Sequence, residues 1–147
     1  MKNIGLFGGT FDPIHNSHLH IARAFADEIG LDTVVFLPAG DPYHKDPSRA
    51  SAQDRLIMTE LAIADDPRFA ASDCDIVRDG ATYTFDTVQI FRQQFPAAQL
   101  WWLMGSDSLT ISLILMRLPC SMPLATLTTT ISFVKYSFAP VKALLKC

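Results

Sequence analysis

Apolar positions along the first hundred residues follow two rhythms, short unbroken runs and longer stretches with a helical repeat. Ile4 to Phe7 is the first run, and it ends in Gly8-Gly9. From Ser17 to Ile29, the residues Leu19, Ala22, Phe25, Ala26 and Ile29 recur at helical spacing, which predicts an amphipathic helix capped by Gly30. Val34-Val35-Phe36-Leu37 is again continuous and β-branched, the pattern of a strand covered on both faces. It runs into Pro38-Ala39-Gly40-Asp41-Pro42-Tyr43-His44-Lys45, a segment of turn residues. A second helix is expected to start at Ser51 and to pass through Leu56, Ile57, Glu60, Leu61 and Ile63, with Pro67 beyond its end. A third strand is expected within residues 70–77, its limits blurred by Asp73 and Asp75. Thr84 to Phe95 reads as a third helix stopped by Pro96, and Leu100-Trp101-Trp102-Leu103-Met104 as a fourth strand. Strands alternating with helices of this length need crossover connections, hence an α/β fold, a Rossmann-like doubly wound parallel sheet. Ligands in such sheets gather at the carboxyl ends of strands near a topological switch point. Gly8-Gly9 and Gly105-Ser106-Asp107 are both strand-end loops of that kind.

The rhythm stops after Ser108. All fifteen acidic residues lie in 1–108, and 109–147 contains none. The tail carries Arg117, Lys135, Lys142, Lys146, repeated threonines and three prolines, with neither a helical nor a strand period. Two segments are therefore expected: an α/β domain over 1–108 and an atypical tail over 109–147, leaving the sheet incomplete at its C-terminal side. Leu118 to Val134 is uncharged, but it falls short of the ~20 residues of a membrane span and is broken by Pro119 and Pro123. No membrane association is expected.

Composition narrows the picture only a little. A chain of 147 residues with 49% hydrophobic content suits one globular domain. A net charge of −3 argues against non-specific nucleic-acid or membrane binding. Cys74, Cys120 and Cys147 show no metal or disulfide spacing, and Met1-Lys2-Asn3 leads straight into the first strand, so a soluble cytoplasmic protein without a resident metal is expected.

The chemistry is concentrated in residues 4 to 18, where a strand feeds two glycines, a turn, and a helix N-terminus. Free backbone N–H groups and the positive end of the helix dipole make such a place an anion site. His15 and His18 stand three apart, on one face of the first helical turn. The segment is neither the Gly-x-Gly-x-x-Gly dinucleotide fingerprint nor a P-loop, since no Gly-Lys-Ser/Thr follows the glycines.

Gly8-Gly9-Thr10-Phe11-Asp12-Pro13-Ile14-His15-Asn16-Ser17-His18 resembles the signature of nucleotidyltransferases with a His-x-Gly-His motif after their first strand. Among them it is most similar to the bacterial nicotinate-nucleotide adenylyltransferases. One position departs, Ser17 standing where the family has glycine. The resemblance implies adenylyl transfer from ATP to nicotinate mononucleotide, giving deamido-NAD and pyrophosphate in NAD synthesis. ATP and nicotinate mononucleotide are then the partners, with Mg²⁺ accompanying the ATP. It implies catalytic roles for His15, His18 and Lys45, the histidines contacting the ATP phosphates and stabilising charge as the α-phosphorus is attacked, and assigns Gly8, Gly9, Thr10 and Phe11 to phosphate binding, the Phe11 side chain packing in the core. His44-Lys45 resembles the family's basic pair that meets substrate phosphates, Lys45 as a mobile point charge. A solvated surface lysine is the plain alternative.

Tyr83-Thr84-Phe85-Asp86-Thr87 is similar to a family segment that recognises the nicotinate end, which implicates Tyr83 and Thr84. Equally, Thr84 or Asp86 could simply cap the third helix. Gly105-Ser106-Asp107-Ser108 resembles the family's Gly-x-Asp-Ser, in which the aspartate reaches a ribose hydroxyl, so Gly105 and Asp107 join the nucleotide site. Ser51-Ala52-Gln53-Asp54-Arg55 also matches, and is read as a helix start with a structural role for Arg55. The resemblance ends at 108. The family's later ring-stacking tryptophan loop and Ser-Ser/Thr-Thr-x-x-Arg segment are not recognisable in 109–147, which suggests a reading-frame change or truncation and impaired activity. Two other readings remain open: a related nucleotidyltransferase with another phosphate acceptor such as phosphopantetheine, and an inactive nucleotide-binding remnant.

Overall fold

The computed structural model describes residues 1–40, 49–78 and 83–103, together with the backbone of 133–134. Two compact units are present, Met1–Leu103 and Met104–Cys147. In the second unit the described residues form one short strand, β5, Phe133–Val134.

The first unit alternates as the apolar rhythm requires: β1 Asn3–Gly9, α1 Asn16–Ile29, β2 Thr33–Pro38, α2 Ala52–Ile63, β3 Phe69–Ala71, α3 Thr84–Gln94 and β4 Gln99–Leu103. Its strands are parallel and ordered β3-β2-β1-β4. Leu6 of β1 stands opposite Val35 of β2 on one side and Trp102 of β4 on the other. Right-handed crossovers carry β1 to β2 to β3 in one direction, so α1 and α2 cover one face. The return from β3 to β4 runs the other way and sends α3 to the opposite face. Strand order thus reverses at β1, and the crevice of the fold opens where β1 ends.

The core is made by the runs that defined the strands. Ile4, Leu6, Phe7, Val34 to Leu37, Leu100, Trp102 and Leu103 are all buried, and α1, with Ala22, Phe25 and Ala26 buried, packs on β1 and β2. Gly30 ends α1 in the left-handed conformation, with φ 69°, as its position past the last apolar residue implied.

Three local expectations change. Ser17 is the second residue inside α1, and the N-cap is His15. Neither Thr84 nor Asp86 caps α3, whose N-cap is Tyr83 without a side-chain cap bond. The third strand begins one residue earlier than the 70–77 window and stops at Ala71. Beyond it the chain turns, and Asp75 is buried by contacts with α3 rather than paired in the ladder. Met104 lies outside the described residues. Among the described residues no helix is long and apolar enough to cross a membrane.

Candidate functional site

β1 delivers the chain to the crevice, and the turn after it is built on aromatic rings. Phe7, Phe11 and Phe36 form a buried cluster, with centroids 5.6 Å apart for Phe7–Phe11, 5.8 Å for Phe11–Phe36 and 5.5 Å for Phe7–Phe36. Phe11 therefore packs its side chain in the core, while its backbone adopts a left-handed φ of 50°. The two glycines are demanded by these rings. A Cβ on Gly8 would lie 2.8 Å from the Trp102 ring, and one on Gly9 would lie 2.8 Å from the Phe11 ring. Packing alone thus accounts for both glycines, whatever their N–H groups bind.

α1 starts on the same floor. His18 is half-buried, its ring edge-on to Phe11 at 5.1 Å and 89°, and 6.2 Å from Phe7. His15 lies against it, with ring centroids 3.8 Å apart and 31° between planes. The backbone N–H of His15 donates to Nδ1 of His18 at 3.2 Å. An accepting Nδ1 carries no proton, so in the neutral ring Nε2 is the protonated nitrogen. No acidic residue stands in the first turn of α1 to offset the positive end of its dipole. The pair therefore sets two imidazoles side by side at a helix N-terminus, an arrangement suited to a polyanion.

Three contacts tie this turn to neighbouring segments. Ala39 donates its N–H to the Gly9 carbonyl at 2.8 Å, holding the exit of β2 beside the exit of β1. The Asp12 carboxylate accepts the Arg49 N–H at 2.6 Å. Arg55, fully buried in the second turn of α2, donates from Nη1 to the Thr10 carbonyl at 2.7 Å and from Nε to the Ala50 carbonyl at 3.3 Å. Ser51 caps α2 by accepting the Asp54 N–H at 3.1 Å.

A second polar cluster holds the start of α3. Thr87 donates its hydroxyl to Asp75 at 2.6 Å, and Arg78 Nη2 reaches Asp75 and Thr87 at 3.0 Å each. Burial pushes the Asp75 carboxyl up, against the opposing pull of the Thr87 hydrogen bond and the Arg78 charge. Gly40 completes the cluster, since a Cβ there would stand 2.6 Å from the Asp75 carbonyl oxygen. Tyr83 and Thr84 sit at the amino end of the helix so anchored, Tyr83 66% exposed and its carbonyl accepting the Asp86 N–H at 3.0 Å.

Of the residues singled out in the sequence, Gly8, Gly9, Thr10, Phe11, His15 and His18 are brought together at the β1–α1 turn. Tyr83 and Thr84 mark the α3 N-terminus. His44, Lys45, Gly105 and Asp107 lie outside the described residues. Reading the sequence missed the contacts of Asp12, Asp75 and Arg78, because an aspartate or arginine in a turn carries no pattern that announces its partner. Among the described residues no group of three or more His, Cys, Asp or Glu is placed to hold a metal ion.

Known proteins align with this architecture. A profile of the cytidylyltransferase-like family matches residues 6–117. A Neisseria meningitidis serogroup C protein named "Probable nicotinate-nucleotide adenylyltransferase" is 85% identical over 109 residues, covering 74% of this chain and 55% of that protein. A Chromobacterium violaceum protein of the same name is 52% identical over 108 residues, covering 72% and 51%. The chain thus spans about half the length of the curated relatives it matches. Among solved structures, the Plasmodium falciparum nicotinic acid mononucleotide adenylyltransferase complexed with NaAD superposes with a TM-score of 0.64 at 18% identity, covering 76% of this chain and 55% of the other. At that identity the likeness is one of fold.

Proposed function

The chain belongs to the cytidylyltransferase-like family, and from that premise we propose that it carries the ATP-binding part of a nicotinate-nucleotide adenylyltransferase. The observation that carries the reading is the histidine pair, stacked at 3.8 Å on the first turn of α1 where β1 ends. In the reaction, a phosphate oxygen of nicotinate mononucleotide attacks the α-phosphorus of ATP. The bond to the bridging oxygen breaks, and pyrophosphate leaves with the electron pair. Direct displacement of this kind needs positioning and charge stabilisation rather than a protein nucleophile.

His15 and His18 donate to the ATP phosphates, and the backbone of Gly9, Thr10 and Phe11 completes the cradle with the helix dipole behind it. His44 and Lys45 supply further positive charge, and Gly105 and Asp107 meet the nucleotide ribose. Tyr83 and Thr84, at the amino end of α3, recognise the nicotinate carboxylate with the help of the helix dipole. Carried by the ATP as part of the substrate, Mg²⁺ would neutralise phosphate charge. The proposed setting is the cytoplasm. Residues 109–147 lack the family's tryptophan and arginine segments, so both substrate sites should be weakened and turnover should be low or absent. Translation of the coding DNA beyond codon 108 in the other two frames should restore both segments if the frame has shifted. Closed frames would refute that origin.

The test is to incubate the chain with ATP and either nicotinate mononucleotide or phosphopantetheine, measuring pyrophosphate and the adenylylated product. Deamido-NAD formed from the first acceptor, and reduced about 10² by His18→Ala, is the expected result. Product only with phosphopantetheine would reassign the acceptor. ATP binding without any pyrophosphate release would leave a nucleotide-binding remnant.

A further inference from the structure

We propose that Arg55 is the positioning residue of the phosphate cradle: its buried guanidinium sets the peptide between Thr10 and Phe11 so that the Phe11 N–H faces the anion. The inference rests on the phosphate-site reading above.

Arg55 is fully buried, and its Nη1 lies 2.7 Å from the Thr10 carbonyl. The Thr10–Phe11 bond is not among the cis peptides, and in a trans peptide plane the C=O and the following N–H point to opposite edges. A Thr10 carbonyl turned toward α2 therefore turns the Phe11 N–H away from α2. Phe11 is also the one non-glycine described residue with positive φ, 50°, a conformation that persists only when its surroundings over-determine it. Its ring is held by Phe7 and Phe36, and its preceding peptide by Arg55. Between them they leave this peptide little freedom to flip.

Burying an arginine is costly unless its donors are used, and an apolar side chain would serve a purely structural site better. What the guanidinium adds is a planar fork reaching two carbonyls at once, Thr10 of the β1–α1 turn and Ala50 just before α2, at 2.7 and 3.3 Å. Asp12 ties the same two segments through the Arg49 N–H at 2.6 Å. The turn that carries the histidines is thereby stitched to the segment entering α2, with Arg55 as the stitch that also sets a donor.

The probe is inorganic triphosphate, titrated into the ¹⁵N-labelled chain and followed by amide shifts and calorimetry. The Phe11 amide should be among the most strongly shifted. Arg55→Lys keeps the charge but loses the fork, and should weaken triphosphate binding at least about tenfold while unfolding remains cooperative. A merely structural arginine would lower the unfolding temperature and leave triphosphate affinity of the folded protein unchanged, which would overturn the proposal. Should Arg55→Lys fail to fold, the wild-type titration decides alone. A Phe11 amide that stays still while the His18 amide moves would refute the role. A wild-type chain that binds no triphosphate would instead overturn the phosphate-site reading beneath it.

Discussion

Gly9→Ala puts the packing of the cradle under direct strain. The added Cβ would stand 2.8 Å from Phe11 Cε1, 2.9 Å from Cζ and 3.2 Å from Cδ1. Carbon atoms rest at about 3.5–4.0 Å, so the ring must retreat by about 0.7 Å. It has nowhere open to go, being 2% exposed and enclosed by Phe7, Phe36 and His18. Overpacking of this kind costs about 1–3 kcal/mol. With a urea m-value of about 1–3 kcal/mol per molar, the unfolding midpoint should fall by roughly 1 M. Because His18 is edge-on to the same ring, the displacement should also disturb the histidine pair and weaken ATP binding. Phe11→Leu removes the ring edge, so the double variant Gly9→Ala/Phe11→Leu should be more stable than the two single losses added together. A Gly9→Ala protein with the wild-type midpoint and wild-type ATP affinity would show that Phe11 has room to move, and would refute this view of the turn.

Two further substitutions test separate parts of the unit. Ser17→Gly removes an exposed side chain from the second position of α1 and should tighten ATP binding by a small factor, at a helix cost of up to about 1 kcal/mol; equal calorimetric affinities would make the position neutral. The Arg68 side-chain hydrogen bond holds the Asp66 carboxyl below its usual range, against the opposing effect of burial, with the Arg68 N–H and the Arg68 and Arg23 charges assisting. A lowered folded-state pKa means stability that is present at neutral pH and lost as pH falls through the carboxylate range. Asp66→Asn should therefore cost about 1 kcal/mol or less at pH 7 and flatten the acid side of the stability profile; an unchanged acid side would refute the linkage.

Periodicity and punctuation made most of the first unit legible. Apolar runs identified the central strands because both faces of β1 and β2 are buried, and Gly30 marked the end of α1 because few residues accept its φ. The β3 region resisted, because Ala70 and Ala71 carry little apolar signal and Asp75 is buried through Thr87 and Arg78 rather than through strand pairing. His15 and His18 were legible as a pair at helical spacing, but their mutual bond was not, since a histidine N-cap follows no strong propensity. The purpose of Gly8 and Gly9 was equally hidden. Trp102 is more than ninety residues away in the chain, and only the fold brings its ring to Gly8.

The most direct measurement is calorimetric titration of ATP into the wild-type chain and into His18→Ala. Losing one charge-assisted hydrogen bond should weaken binding by about 10- to 100-fold, with the unfolding temperature little changed because His18 is half-buried at a helix end. Measurable wild-type binding that falls by this factor is the expected result. No wild-type binding, or equal affinity in the two proteins, would contradict the assignment of the β1–α1 turn to the phosphates of ATP.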